Sequence, residues 1–319
     1  MVPALCYKPM HNARGHPDPE SCMLCAMIDP TNRLREWLAN GPLITDGAWG
    51  TELQARGLPP GTNPDTWNLT HPEEVEAVAR AYAVAGSQVI LTNTFRANAV
   101  AIKGVAEADL DAINRAGVAL SRQAAGSALV FASIGPTGKM LLSGEMSSEE
   151  ATAAFAAQSQ SLAAAGADAL LIETMSDIAE ARLAVQAARL TGLPVIVSFA
   201  YDSGKNKDRT MMGATPEAVA VAMVEAGADA VGANCGVGVE LAIPICRRLR
   251  ASCDLPLWIK PNAGLPTMED SGLRYATSAE FFASHYSALR DAGADFLGGC
   301  CGSTPEFIRA LVAARLAAP

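Results

Sequence analysis

Two adjacent cysteines, Cys300 and Cys301, sit between Gly298-Gly299 and Gly302, and no other stretch of the chain is better placed to do chemistry. Neighbouring side chains on a regular strand leave on opposite faces, so both thiols reach one metal ion only where the backbone kinks. Glycine permits that kink, and it flanks the pair on both sides. A third thiol, Cys235, closes the run Ala230-Val231-Gly232-Ala233-Asn234-Cys235. Three thiolates with an open fourth position make a catalytic zinc (Zn2+) site, in contrast to the closed four-ligand set of a structural one. The bland alternative treats each cysteine as a small buried hydrophobe. It suits a lone cysteine better than a glycine-flanked pair at a strand end, where functional groups tend to collect.

The elements that must carry these residues recur along the chain. Short apolar runs begin at Leu43, Val89, Leu129, Ala169, Val195, Ala230, Leu257 and Phe296, each separated from the next by an alanine-rich helical stretch. Continuous apolar runs between helices mark strands buried on both faces of a parallel sheet. The helices carry their own punctuation. Thr215-Pro216-Glu217 and Thr304-Pro305-Glu306 open helices with a cap and proline, and Ser147-Ser148-Glu149-Glu150 has the capping-box pattern. Gly86, Gly166, Gly227 and Gly293 follow alanine just before a strand, where a helix C-cap is expected. Eight such units predict an α/β fold, a (β/α)8 TIM barrel.

In such a barrel the active site lies at the carboxyl ends of the strands. Asp46, Asn93, Thr94, Glu173, Cys235, Asn262, Cys300 and Cys301 all fall at or just beyond those ends, which gathers these separate motifs into one polar ring. Cys235 belongs to the sixth strand and Cys300-Cys301 to the eighth, so two even-numbered strands would aim thiols at one point inside the mouth. The loops 201–212 and 263–277 are expected to cover that mouth.

Composition narrows the partner. The 319 residues carry 24 basic and 33 acidic side chains, a net charge of -9, with no basic block of the kind a nucleic-acid binder needs. No long charge-free apolar run and no basic-then-apolar leader is visible, so a cytoplasmic protein with a small-molecule partner, and no membrane, is expected. In a reducing compartment the eight cysteines read as thiols or metal ligands, not as disulfides. Residues 1–26 differ from the remaining 27–319 in being rich in Pro, His and Cys. They read as an extension, either a tail or a small zinc knuckle built from Cys6, Cys22, Cys25, His11 and His16.

Four ordered motifs carry a family resemblance: Asp46-Gly47-Ala48-Trp49-Gly50-Thr51, Thr92-Asn93-Thr94-Phe95, Gly232-Ala233-Asn234-Cys235 and Gly298-Gly299-Cys300-Cys301-Gly302. Together they resemble the zinc-dependent homocysteine S-methyltransferases, a family that includes betaine–homocysteine methyltransferase and the homocysteine module of cobalamin-dependent methionine synthase. The likeness runs from about residue 40 to the end. Pro261-Asn262-Ala263-Gly264-Leu265-Pro266 is most similar to the methionine synthase branch, although the chain is too short to hold that enzyme's folate and cobalamin modules.

The resemblance implies that Cys235, Cys300 and Cys301 bind zinc and that homocysteine is methylated to methionine. It implies that Asp46 and Glu173 hold the substrate ammonium and that backbone amides near Gly47 and Ala48 take its carboxylate. Asn262 corresponds to an asparagine that can fill the fourth zinc position, and Asn93 serves either turn chemistry or substrate contact. The methyl donor stays open among S-methylmethionine, S-adenosylmethionine, betaine and a methylated corrinoid protein or folate system. Two rivals remain. One is a phosphosugar-type barrel lyase using a Schiff base on Lys260; the other is a non-catalytic zinc barrel that binds a corrinoid protein.

Overall fold

The computed structural model describes residues 30–102, 104–269 and 272–318; the extension 1–26 and its zinc-knuckle reading lie outside the described residues. Eight parallel strands form one sheet: β1 (Leu43–Ile44), β2 (Val89–Leu91), β3 (Leu129–Ile134), β4 (Ala169–Met175), β5 (Val195–Phe199), β6 (Ala230–Gly238), β7 (Leu257–Asn262) and β10 (Phe296–Leu297). Each pairs with its neighbour in chain order, β10 lies between β7 and β1, and a single bridge from Thr45 to Val89 closes the ring. The fold is the expected (β/α)8 barrel. Strands β1 and β10 have two residues each, shorter than their apolar runs suggest. Beyond them the pairing continues through isolated bonds, Thr45 N–H to Leu297 O (2.7 Å) and Gly299 N–H to Asp46 O (3.1 Å), as the chain turns into the mouth.

Helices cover the outside: α1 (Pro30–Trp37), α2 (Gly50–Ala55), α3 (Trp67–Thr70), α4 (Pro72–Ala85), α5 (Glu107–Ala125), α6 (Ser148–Ala164), α7 (Ile178–Arg189), α8 (Pro216–Ala226), α9 (Val239–Ser252), α10 (Ala279–Ser284), α11 (Tyr286–Asp291) and α12 (Pro305–Ala317). Their ends follow the local chemistry of the sequence. Ser147 and Glu150 form a reciprocal capping box on α6, Thr215 and Thr304 cap α8 and α12, and Gly86 and Gly227 are left-handed C-caps. None of the described helices is long and apolar enough to cross a membrane.

The alternation of side chains along each strand divides the apolar interior in two. Residues such as Val130, Ile172, Val197, Val231 and Ile259 pack outward against the helices. Their neighbours Phe131, Leu171, Ile196, Trp258 and Phe296 fill the barrel and meet Leu34 of α1, which closes the amino-terminal end. Phe131, Trp258 and Phe296 stack with centroid separations of 5.3 to 6.0 Å, and Trp37 adds a further ring 5.4 Å from Phe131. This aromatic floor blocks the barrel from below, so ligands can enter only from the carboxyl ends of the strands.

Candidate metal centre and substrate cavity

Above the floor the inward positions change character. Two residues past Trp258 on β7 comes Lys260 and two further Asn262; two past Leu171 on β4 comes Glu173; two past Phe131 on β3 comes Ser133. The same period-two rule that packs the floor therefore delivers buried polar groups to the layer above it.

The thiols need more than alternation. Cys235 adopts a left-handed conformation (φ 58°) and is followed by Gly236, also left-handed (φ 69°). Two extra residues enter β6 at this point, since Asn234 pairs with Lys260 while Gly238 already pairs with Asn262. A bulge of this kind re-aims a side chain, and left-handed backbone at a non-glycine residue concentrates at functional sites. Cys300 and Cys301 lie past the end of β10, where Gly302 turns the chain with φ 81° and leaves no room for a Cβ against the Tyr275 ring. The three Sγ atoms lie within 4.8 Å of one another, and those of Cys235 and Cys301 are 3.9 Å apart.

This geometry fits a tetrahedral zinc, around which sulfurs at about 2.3 Å would stand roughly 3.8 Å from each other. The Asn262 amide nitrogen donates to the Cys235 sulfur. The other end of that amide, Oδ1, is buried with no hydrogen-bond partner. An orphaned buried carbonyl beside three sulfurs is the kind of group a cation satisfies. The protonation pattern agrees. Cys235 is held well below the usual thiol range because Cys300 and Cys301 donate to its sulfur, with the Gly236 N–H and the Asn262 amide adding to the effect. Donation to Cys235 pushes Cys300 and Cys301 up in turn, and burial adds to both. The cluster thus favours a thiolate on Cys235, with Cys300 and Cys301 holding their protons as its donors.

The sulfurs open onto a cavity of about 360 Å³, whose wall includes Glu173, Lys260, Asn93, Trp49 and Asp65. Glu173 Oε1 accepts from Ser133 Oγ at 2.5 Å and its Oε2 from Asn234 Nδ2 at 3.3 Å. Burial raises its pKa, while the Lys260 ammonium and the Ser133 hydroxyl partly offset that rise. Asn234 is a hub the sequence reading did not single out as a site residue. It accepts from Ser198 Oγ (2.7 Å) and Thr174 N–H (2.9 Å), donates to Thr174 Oγ1 (2.7 Å), and lies 4.0 Å from the Cys300 sulfur. A lone amide at an inward position of an apolar strand was its only signal.

Asp46 is fully buried and stands behind Lys260. Its Oδ1 accepts from Lys260 Nζ at 2.5 Å, and its Oδ2 accepts from Trp49 Nε1 and Leu91 N–H, each at 2.8 Å. Lys260 is thus tied into an ion pair, and a Schiff-base role there leaves the clustered cysteines unexplained. Gly47 and Ala48 both line the cavity, and the Ala48 N–H donates to Ser303 O at 3.1 Å. Asn93 donates to Pro64 O (2.8 Å) and Asn68 Oδ1 (2.9 Å), which fixes the short 3-10 turn carrying Asp65 against the mouth. Burial pushes the Asp65 carboxyl up to about 7, although its Oδ1 accepts the Arg96 N–H at 2.9 Å. Nothing in the sequence flagged Asp65, because only the turn brings it to the cavity.

The two loops expected to cover the mouth differ from that reading in form. Within 263–277 the chain makes an antiparallel hairpin, β8 (Pro266–Glu269) and β9 (Gly272–Tyr275), whose Tyr275 hydrogen-bonds the Cys301 thiol. The loop after β5 is anchored on the helical layer through Arg248, which pairs with Asp208 at 2.5 Å and with Glu217 at 2.6 Å.

Barrel and thiol cluster together define a (β/α)8 protein with three cysteines gathered at its mouth, and comparison with known proteins narrows that class. The family model for homocysteine S-methyltransferase matches residues 43–315, and the chain belongs to this family. It is 30% identical over 304 residues to the methionine synthase of Mycobacterium tuberculosis (strain ATCC 25618 / H37Rv) and 29% identical over 301 residues to that of Mycobacterium leprae (strain TN). Each match covers 88% of this chain, which spans about a quarter (25%) of the length of these relatives. Among solved structures, the metallated homocysteine methyltransferase MmuM from Escherichia coli superposes with a TM-score of 0.74 at 27% identity, covering 88% of this chain and 99% of that one.

Proposed function

We propose that this chain is a zinc-dependent homocysteine S-methyltransferase, with Cys235, Cys300 and Cys301 as the metal ligands and Asn262 Oδ1 beside the fourth position. The observation that carries the reading is the convergence of three thiols from two strands next to an orphaned carbonyl, in a cavity that also holds a buried carboxylate. Zinc, when bound, would keep the homocysteine sulfur as a thiolate near neutral pH, where a free thiol of pKa about 8.5 is mostly protonated.

The residues of the chain do the rest. Glu173, held by Ser133 and Asn234, presents a desolvated carboxylate to the substrate ammonium, and pairing with that ammonium restores what burial takes from it. The aromatic floor excludes water from below, and Trp49 and Phe95 add apolar surface to the cavity wall. In the transfer a carbon–sulfur bond forms to homocysteine as the bond between the methyl group and its donor breaks; the thiol proton leaves to solvent. The free thiols suit a reducing, cytoplasmic setting.

Metal analysis with an activity assay tests the proposal. One zinc per chain and methionine formation are expected of the wild type, with neither in Cys301→Ala. Full zinc occupancy in that variant overturns the site. Assay against S-methylmethionine, S-adenosylmethionine, betaine and a methylated corrinoid protein identifies the donor.

A further inference from the structure

Methyl transfer at a loaded metal centre in this mouth would bring the donor up to the sulfurs of Cys235, Cys300 and Cys301 as well as that of homocysteine, and each thiolate is a nucleophile. Only the homocysteine sulfur is substrate. What separates it from the others lies behind the cysteines. Cys235 accepts from the Gly236 N–H and the Asn262 amide, and Asn234 Nδ2 stands 4.0 Å from the Cys300 sulfur. Cys301 accepts a hydrogen bond from the hydroxyl of Tyr275. The fourth position differs, because Asn262 Oδ1 beside it is a carbonyl oxygen that can accept a hydrogen bond and cannot donate one.

Tyr275 is fixed over Cys301 from two directions. It ends β9, paired with Pro266 of β8, and its half-buried ring fills the space that a Cβ on Gly302 would need. The chain leading into the hairpin is tied to the same cysteine turn, since the Ala263 N–H donates to Cys301 O at 3.0 Å and the Cys300 N–H to Pro261 O at 2.8 Å. A phenyl ring would pack on Gly302 equally well; what the hydroxyl adds is the bond to sulfur. A donor to a thiolate draws off charge and makes it a weaker nucleophile, as outer partners tune metal ligands generally. Resting on the function proposed above, we infer that Tyr275 directs methylation to the substrate, by holding the Cys301 thiolate in a hydrogen bond that keeps the chain from methylating its own metal ligand. The reaction it suppresses forms a carbon–sulfur bond at Cys301 while the bond from the methyl group to its donor breaks, the donor leaving with that electron pair. The product is a neutral thioether, which no longer carries the charge of a cysteinate zinc ligand. Tyr275 is thus a positioning residue that acts through Cys301.

Tyr275→Phe keeps the ring on Gly302 and removes only the hydroxyl. The zinc-loaded full chain and this variant are treated with methyl iodide in the absence of homocysteine, and methylation of each cysteine is followed by peptide mass spectrometry alongside zinc release. The rate at Cys301 should rise about 3- to 10-fold in the variant, the effect of losing one charge-assisted hydrogen bond on a nucleophile whose rate follows part of its basicity. Rates at Cys235 and Cys300 should stay as in the wild type, and zinc should leave in step with methylation of Cys301. An unchanged rate at Cys301 overturns the assignment. So does a rise shared equally by the three cysteines, which marks a looser mouth and not a lost hydrogen bond. Either failure leaves the methyltransferase reading intact, whereas wild-type protein that retains no zinc overturns the proposed function and the role of Tyr275 with it.

Discussion

The lower and upper halves of the barrel interior come from the same strands by the same alternation, and they behave as opposites. Trp258 and Lys260 are two residues apart on β7 and both point inward. Below, Trp258 meets Phe131 and Phe296, with Trp37 against Phe131, in a packed aromatic layer where the energetics are those of apolar burial. Above, Lys260 joins Asp46, Glu173, Asn234 and three thiols, a layer held by hydrogen bonds and ion pairs whose burial costs free energy unless each group finds a partner. The lesson is a division of labour. The floor adds to stability by apolar burial, while the mouth gives some stability up to groups that need a ligand.

Breaking the mouth should remove function and spare the fold. Cys301→Ala is expected to lose bound zinc and to lower methyl transfer by more than about 100-fold, beyond the usual effect of disturbing an outer partner of a metal site. Its melting temperature measured without added metal should stay close to that of the wild type; cooperative unfolding lost in this variant would merge the two halves into one.

Breaking the floor should do the reverse. Trp258→Ala empties the largest side chain of the inner layer and should destabilise the chain by about 3–5 kcal/mol in denaturant titration. Zinc content of the folded fraction should be unchanged. A loss of zinc as large as the loss of stability would show that the floor positions the thiols directly.

The contrast also has a pH signature. Asp65 at the mouth has its folded pKa raised from 3.8 to about 7 by burial, so the native state binds more protons than the unfolded chain between these values. Stability should therefore fall as pH rises through that window, by on the order of 4 kcal/mol in all from this residue. Asp65→Asn keeps an acceptor for the Arg96 N–H and removes the ionisation. Its melting temperature should exceed that of the wild type increasingly from pH 4 to pH 8, and parallel curves would exclude the coupling.

The smallest effect concerns the substrate ammonium. Glu173→Gln should weaken homocysteine binding about 10-fold, with zinc content and melting temperature nearly unchanged. An equal loss for 4-mercaptobutanoate, which lacks the ammonium, would show that Glu173 shapes the cavity without pairing with the amine.

Much of the architecture was legible in the sequence, because local rules act over a few residues. Continuous apolar runs marked the eight strands, Ser147 with Glu150 and Thr304 with Pro305 marked helix starts, and Gly86 and Gly227 marked helix ends. The hairpin within 263–277 was not legible; its strands are only four residues each and lack an apolar run to announce them. Strand-end position likewise pointed to Asp46, Glu173, Asn262 and the cysteines as one polar ring, yet it could not say which of them face a ligand.

By itself, then, the sequence determined a barrel of eight βα units with thiols and acids at one end, since hydrophobic period, capping and chain-order pairing are properties of neighbouring residues. Only the tertiary structure decided the partners. Asp46 meets Lys260 across 214 positions of sequence, and Cys235 reaches the Cys300-Cys301 pair through a left-handed turn that strand alternation alone would not supply. Buried charges and sulfurs take their chemistry from whatever closing the barrel sets beside them, and that proximity is set by the ring of strands rather than by spacing along the chain.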